Sequence, residues 1–123
     1  MARILVVDDH PRIVRVIQME LQREGHEVLT AADGEEALRK IREERPALVL
    51  LDIVLPKIDG YEVLRAVKAD PATREIGVIL LTALDQEGAI AHGMHLGADW
   101  YLTKPFSIGD ISAVTRRFLY VPA

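Results

Sequence analysis

Five short apolar runs, Ile4 to Val7, Val28 to Ala31, Leu48 to Leu51, Val78 to Leu81 and Trp100 to Leu102, alternate along the chain with segments whose apolar residues recur at helical spacing. The first, third and fourth are apolar at nearly every position. A strand apolar on both faces has to be covered on both faces, which is the setting of a central strand in a parallel sheet flanked by helices. Strands alternating with helices are βαβ units. Five of them predict an α/β, doubly wound, parallel five-stranded sheet, in which ligands bind beyond the carboxyl ends of the strands.

The helices are read from their punctuation. Ile13, Val16, Ile17 and Leu21 follow Pro11, a residue suited to a first helical turn, and Gly25 suits the end. Ala37, Leu38 and Ile41 mark a second helix bounded by Pro46, and Val63, Leu64 and Val67 a third closed by Asp70-Pro71. Ile108, Ile111, Thr115 and Phe118 mark a fifth. The fourth, Gln86 to Leu96, contains Gly88 and Gly93, each costing about 1 kcal/mol relative to alanine in a helix interior, and is expected to be the most mobile.

At 123 residues the chain has the size of one domain, residues 1–123, and no linker or repeat divides it. The absence of cysteine excludes a disulfide framework and thiol chemistry. No apolar run is long enough to span a bilayer, and the start MARILVVDDH is no signal peptide, so a cytoplasmic setting is expected. A formal charge of −4 without a Lys/Arg cluster leaves no footprint for nucleic acid or an anionic membrane.

The chemistry stands at the strand ends. The first run leads into Asp8-Asp9, the third into Asp52, the fourth into Thr82, and the fifth into Lys104-Pro105. In a parallel sheet these ends share one edge. Converging carboxylates repel, so three of them call for a cation, and an all-oxygen set with room for water and phosphate favours Mg²⁺. An aspartate beside such an ion is a competent nucleophile toward phosphorus, with Lys104 and Thr82 placed to meet the phosphoryl oxygens. Taken singly, Asp8 and Asp9 read as caps for the helix at Pro11, Thr82 as a turn residue and Lys104 as a solvated charge.

The segments ILVVDDHP, LLDIVLPKIDGYEVL, VILLTAL and LGADWYLTKPF resemble the receiver domain of two-component response regulators, over Arg3 to about Leu119. The resemblance implies a flavodoxin-like (βα)5 fold with strand order 2-1-3-4-5. It implies Asp52 as the phosphoacceptor, and Mg²⁺ held by Asp8, Asp9, Asp52 and the backbone carbonyl of Val54. Thr82 is similar to the switch hydroxyl, Tyr101 to the aromatic that swings inward, and Lys104 to the lysine that bonds the phosphoryl oxygens. The Lys104-Pro105 peptide is often cis in relatives.

The same resemblance implies a signalling switch, not an enzyme acting on a separate substrate. It would assist its own phosphorylation and dephosphorylation, taking a phosphoryl group from a sensor histidine kinase, a phosphotransfer protein or a small phosphodonor. The surface of the fourth helix, fifth strand and fifth helix would then be repacked for a partner, an output domain or a second copy. Val54 and Leu84 are apolar where fast-cycling relatives are often polar, so slow loss of the phosphoryl group is expected. Trp100, the only tryptophan, belongs either to the output surface or to a gap beside the fifth helix.

Three rival readings are open to the sequence. A haloacid dehalogenase-like phosphatase also uses aspartate and Mg²⁺ but needs a DxD after its first strand, whereas Asp8 and Asp9 are adjacent. A receiver-like adaptor that is never phosphorylated would be expected to have lost an acid or the lysine. A nucleotide-binding domain would need a glycine-rich loop after a strand, and none follows.

Overall fold

In β1 (Arg3–Val7), β3 (Leu48–Asp52) and β4 (Gly77–Ala83), successive side chains leave the sheet on opposite faces, and both faces are buried. The computed structural model describes residues 2–83 and 88–119. Leu5, Val7, Val49, Leu51, Val78 and Leu80 form one core layer with α2 (Gly34–Glu44), α3 (Gly60–Ala69) and α4 (Ala89–His95). Ile4, Val6, Leu48, Leu50, Ile79 and Leu81 form the other with α1 (Pro11–Arg23) and α5 (Ile108–Leu119). Each such leucine or isoleucine, wholly removed from water, contributes roughly 1.5–3 kcal/mol.

With β2 (Glu27–Ala31) and β5 (Trp100–Lys104) at the edges, the parallel sheet has the order β2-β1-β3-β4-β5. The fold is flavodoxin-like, as expected. The edge strands are only partly buried, which explains their weaker apolar signal.

The helix starts are fixed by short side-chain bonds. Asp33 and Asp59 cap α2 and α3, accepting from the backbone N–H of Glu36 at 2.8 Å and Glu62 at 3.0 Å. Pro11 opens α1 as expected, but its N-cap is His10, which makes no side-chain cap. Neither Asp8 nor Asp9 is therefore the cap that the plain reading made of them.

Two glycine readings change. Gly88 is not inside α4 but at its N-cap, with φ of +80°, a conformation costly to residues bearing a Cβ. Gly93 is inside, and a Cβ there would meet Leu80 Cδ1 at 2.0 Å, so glycine lets α4 sit close on β4. The Gln86 start expected for this helix lies outside the described residues. On α5, Ile108 of the helical apolar pattern is 48% exposed, lining a groove with Val16 of α1, while Val114 is buried in the core.

Candidate phosphoacceptor and metal site

The register of the sheet assembles the site. Val7 pairs with Leu51, so Asp8 and Asp52 follow side by side beyond adjacent strands. Asp52 pairs with Leu81, which puts Thr82 one step further along β4, and Ala83 pairs with Lys104 at the end of β5. Asp8 N–H still donates to Ala31 O at 3.1 Å and Ile53 N–H to Leu81 O at 3.2 Å, extending the backbone order just past the strands.

Asp8, Asp52 and Thr82 are buried, and Asp9 is exposed. Lys104 crosses over β4 and puts its Nζ 2.9 Å from Asp8 Oδ2 and 3.0 Å from Asp52 Oδ2. Asp52 Oδ1 accepts the backbone N–H of Val54 at 3.2 Å. The Lys104-Pro105 peptide is cis, matching the expectation. Among the described residues, Thr82 Oγ1 donates to Ala83 O in a long contact of 3.4 Å.

Electrostatics follow from this sharing of one cation. Burial pushes the Asp52 carboxyl above its ordinary range; Lys104 opposes the rise, and the charge of Asp8 adds to it. For Lys104, burial pulls downward more than any single influence pulls up, yet hydrogen bonds and charge from Asp8 and Asp52 together carry its pKa upward. His10 is raised by its hydrogen bond to Asp8 and by that carboxylate's charge.

Oxygens of Asp8, Asp9 and Asp52, with a ring nitrogen of His10, lie within 4.8 Å of one another. Two of these acids are buried and share only one ammonium. A divalent cation fits such a donor set, since hard oxygen ligands with open positions suit Mg²⁺. Beside Asp8 and Asp9 an open depression of about 540 Å³, bordered by Arg12, Arg15 and Thr30, leads to solvent.

Two positions escaped the sequence reading. A Cβ at Gly60 would lie 2.3 Å from Asp52 O, and Gly60 N–H donates to Ile53 O at 2.8 Å, so the loop after β3 folds back onto α3 against bare backbone. The signal was the Asp-Gly pair before the third helix. His10 has Nδ1 2.7 Å from Asp8 Oδ1 and 3.2 Å from Asp9 Oδ1, and its adjacency to the acid pair was the visible clue.

The remaining expected residues sit apart from the acids. Tyr101 is half-buried against the α2–α3–α4 core layer and stacks on Trp100, with ring centroids 5.2 Å apart. The Arg117 guanidinium of α5 lies 5.0 Å from the Trp100 ring, so Trp100 belongs to the exposed β5–α5 surface. Val54 is 60% exposed beside the site. Leu84 lies outside the described residues. Among those described, no helix is long and apolar enough to cross a membrane.

Comparison with known proteins agrees with the geometry. The family model described as response regulator receiver domain matches residues 4–116. The alkaline phosphatase synthesis transcriptional regulatory protein PhoP of Bacillus subtilis is 44% identical over 117 residues, 95% of this chain and 48% of that protein. Response regulator PleD of Caulobacter vibrioides is 45% identical over 115 residues, 94% of this chain and 25% of that protein. This chain thus spans half or less of the length of these relatives. Among solved structures, chemotaxis response regulator CheY4 of Vibrio cholerae superimposes with a TM-score of 0.90 at 33% identity, covering 97% of this chain and 99% of that one. The receiver domain of NtrX from Brucella abortus gives 0.88 at 32%, covering 97% and 99%. The match over nearly the whole chain, together with the fold and the acid cluster, establishes that this chain belongs to the response regulator receiver domain family.

Proposed function

We propose that Asp52 accepts a phosphoryl group from a histidine kinase, a phosphotransfer protein or a small phosphodonor, and that the event repacks the surface of α4, β5 and α5 for an output partner. The observation that carries this reading is the Lys104 ammonium held between buried Asp8 and Asp52 at the end of the sheet. It is the arrangement needed to bind a third anionic group in place of one of the two.

Asp8, Asp9, Asp52 and the Val54 carbonyl would hold Mg²⁺. Once bound, the ion supplies positive charge against the oxygens of the transferring group. A carboxylate oxygen of Asp52 attacks phosphorus, the bond from phosphorus to the donor nitrogen or oxygen breaks, and its electron pair leaves with the donor. Lys104 exchanges a carboxylate for a phosphoryl oxygen, staying within the reach of one flexible stem. The Thr82 hydroxyl, whose contact with Ala83 O is long, turns to donate to the same group. Tyr101 would then move inward, taking with it the stack on Trp100. In this reading the chain assists its own phosphorylation and dephosphorylation at Asp52 and does not turn over a separate substrate, and its membership of the receiver family supports that over the phosphatase reading.

The test is intact mass after incubation with acetyl phosphate and Mg²⁺. One phosphoryl adduct is expected on the wild type, and none on Asp52→Asn or after chelation. An adduct that survives Asp52→Asn would move the acceptor elsewhere.

A further inference from the structure

We infer that His10 is a nitrogen ligand of the divalent ion, and that this site therefore holds imidazole-preferring ions such as Ni²⁺ and Co²⁺ more tightly than Mg²⁺. The inference rests on the metal site proposed above and extends it to a residue outside the acid set.

His10 Nδ1 faces both acids at once, 2.7 Å from Asp8 Oδ1 and 3.2 Å from Asp9 Oδ1. An octahedral ion with bonds of about 2.1 Å spaces neighbouring ligands about 3 Å apart and opposite ones about 4.2 Å. The four donors of Asp8, Asp9, His10 and Asp52 lie within 4.8 Å of one another, a span close to the distance of about 4.2 Å across such an ion. Among the described residues the polar contacts of the ring are with these two acids. His10 is the N-cap of α1 but its side chain makes no capping bond, and its backbone N–H is already held by Asp8 Oδ1 at 2.9 Å. The backbone is thus fixed, while the imidazole, 61% exposed, exchanges its contacts with the acids for an ion entering from solvent.

Ligand chemistry then sets the preference. Mg²⁺ takes oxygen and gains little from imidazole, whereas Co²⁺, Ni²⁺ and Zn²⁺ gain strongly, in the usual order of divalent affinities. Three carboxylates and one imidazole on a site with water positions left open suit an octahedral ion of this group. On binding, Nδ1 presents its lone pair to the metal and the ring proton resides on Nε2.

The experiment is calorimetric titration of the whole chain with Mg²⁺ and separately with Ni²⁺, for wild type, His10→Ala, His10→Gln and Asp52→Asn. Proton NMR with Co²⁺ accompanies it. In the wild type Ni²⁺ should bind the tighter of the two, and the Ni²⁺-to-Mg²⁺ affinity ratio should drop about tenfold or more in both His10 variants, the share of one nitrogen ligand. Asp52→Asn should weaken both ions, which separates this site from the chain's other histidines. Contact-shifted imidazole signals should appear with Co²⁺ and vanish in His10→Ala. If Mg²⁺ binds and the ratio is the same without His10, the inference fails while the receiver reading stands. If the wild type binds no Mg²⁺, both fail.

Discussion

Lys104 Nζ spans two carboxylates from different strands, 2.9 Å from Asp8 and 3.0 Å from Asp52, so one ammonium serves both buried acids. Lys104→Met keeps the stem and removes the charge. In the metal-free protein it should lower stability by about 2 kcal/mol, the cost of a buried charged group left without its partner, or about 5–10 °C in Tm. Mg²⁺ should restore more Tm to the variant than it adds to the wild type, because the ion takes over the compensation. Phosphorylation by acetyl phosphate should slow about 100-fold, as when one preorganised donor is lost. Thermal melts with and without Mg²⁺ check the first pair, and equal Mg²⁺ increments would contradict it.

Gly60→Ala gives opposite signs for two arguments. Helix propensity alone favours alanine by up to about 1 kcal/mol. The Cβ would stand 2.3 Å from Asp52 O and 2.6 Å from Ile53 Cα, both backbone atoms that cannot rotate away. The variant should be destabilised by about 1–3 kcal/mol through overpacking, and the displaced Asp52 should accept phosphoryl groups more slowly. A stabilised variant in urea melts would show that the loop gives way.

Val54 is 60% exposed beside the acceptor and has no group that can orient water. The phosphoryl group should outlast the time scale of seconds when no phosphatase is present, and Val54→Asn should shorten its lifetime. Mass spectra taken after removal of the donor give both decay rates; a faster wild type would reverse the argument.

Glu20 and Arg23 form a two-pronged pair on α1, at 3.0 and 2.7 Å. The hydrogen bonds from Arg23 hold the Glu20 carboxyl below its usual range. A depressed folded-state pKa means that the unfolded state takes up the proton first. The stability is therefore present above the ordinary carboxylate range and is lost as pH falls through the folded value. Wild type and Glu20→Gln should differ most near neutrality and converge in acid, which urea midpoints across pH would reveal.

The central strands were legible because both their faces are apolar, leaving Ile4 to Val7, Leu48 to Leu51 and Val78 to Leu81 no other home. The acids were legible because Asp8, Asp9 and Asp52 stand where such strands end. What escaped depends on distances between segments far apart in sequence. A periodicity reading counts Gly93 as a weak helix position, whereas its meaning lies in Leu80 across the core. It counts Ile108 in the apolar stripe, although that residue stands at the first position of α5 and lines an open groove with Val16 of α1. His10 carried no period at all; only its placement between two carboxylates gives it a role.

The seat of α4 on β4 has a mechanical side. At Gly93 the helix presents bare backbone, and the Leu80 side chain occupies the space that a Cβ would take. Among the described residues, one side chain donates to the α4 backbone, Tyr61 Oη to Ala89 O at 3.1 Å, at the first residue of the helix. The contact between Gly93 and Leu80 is a socket in the helix that receives a strand side chain, so α4 and β4 are keyed to one another at this point.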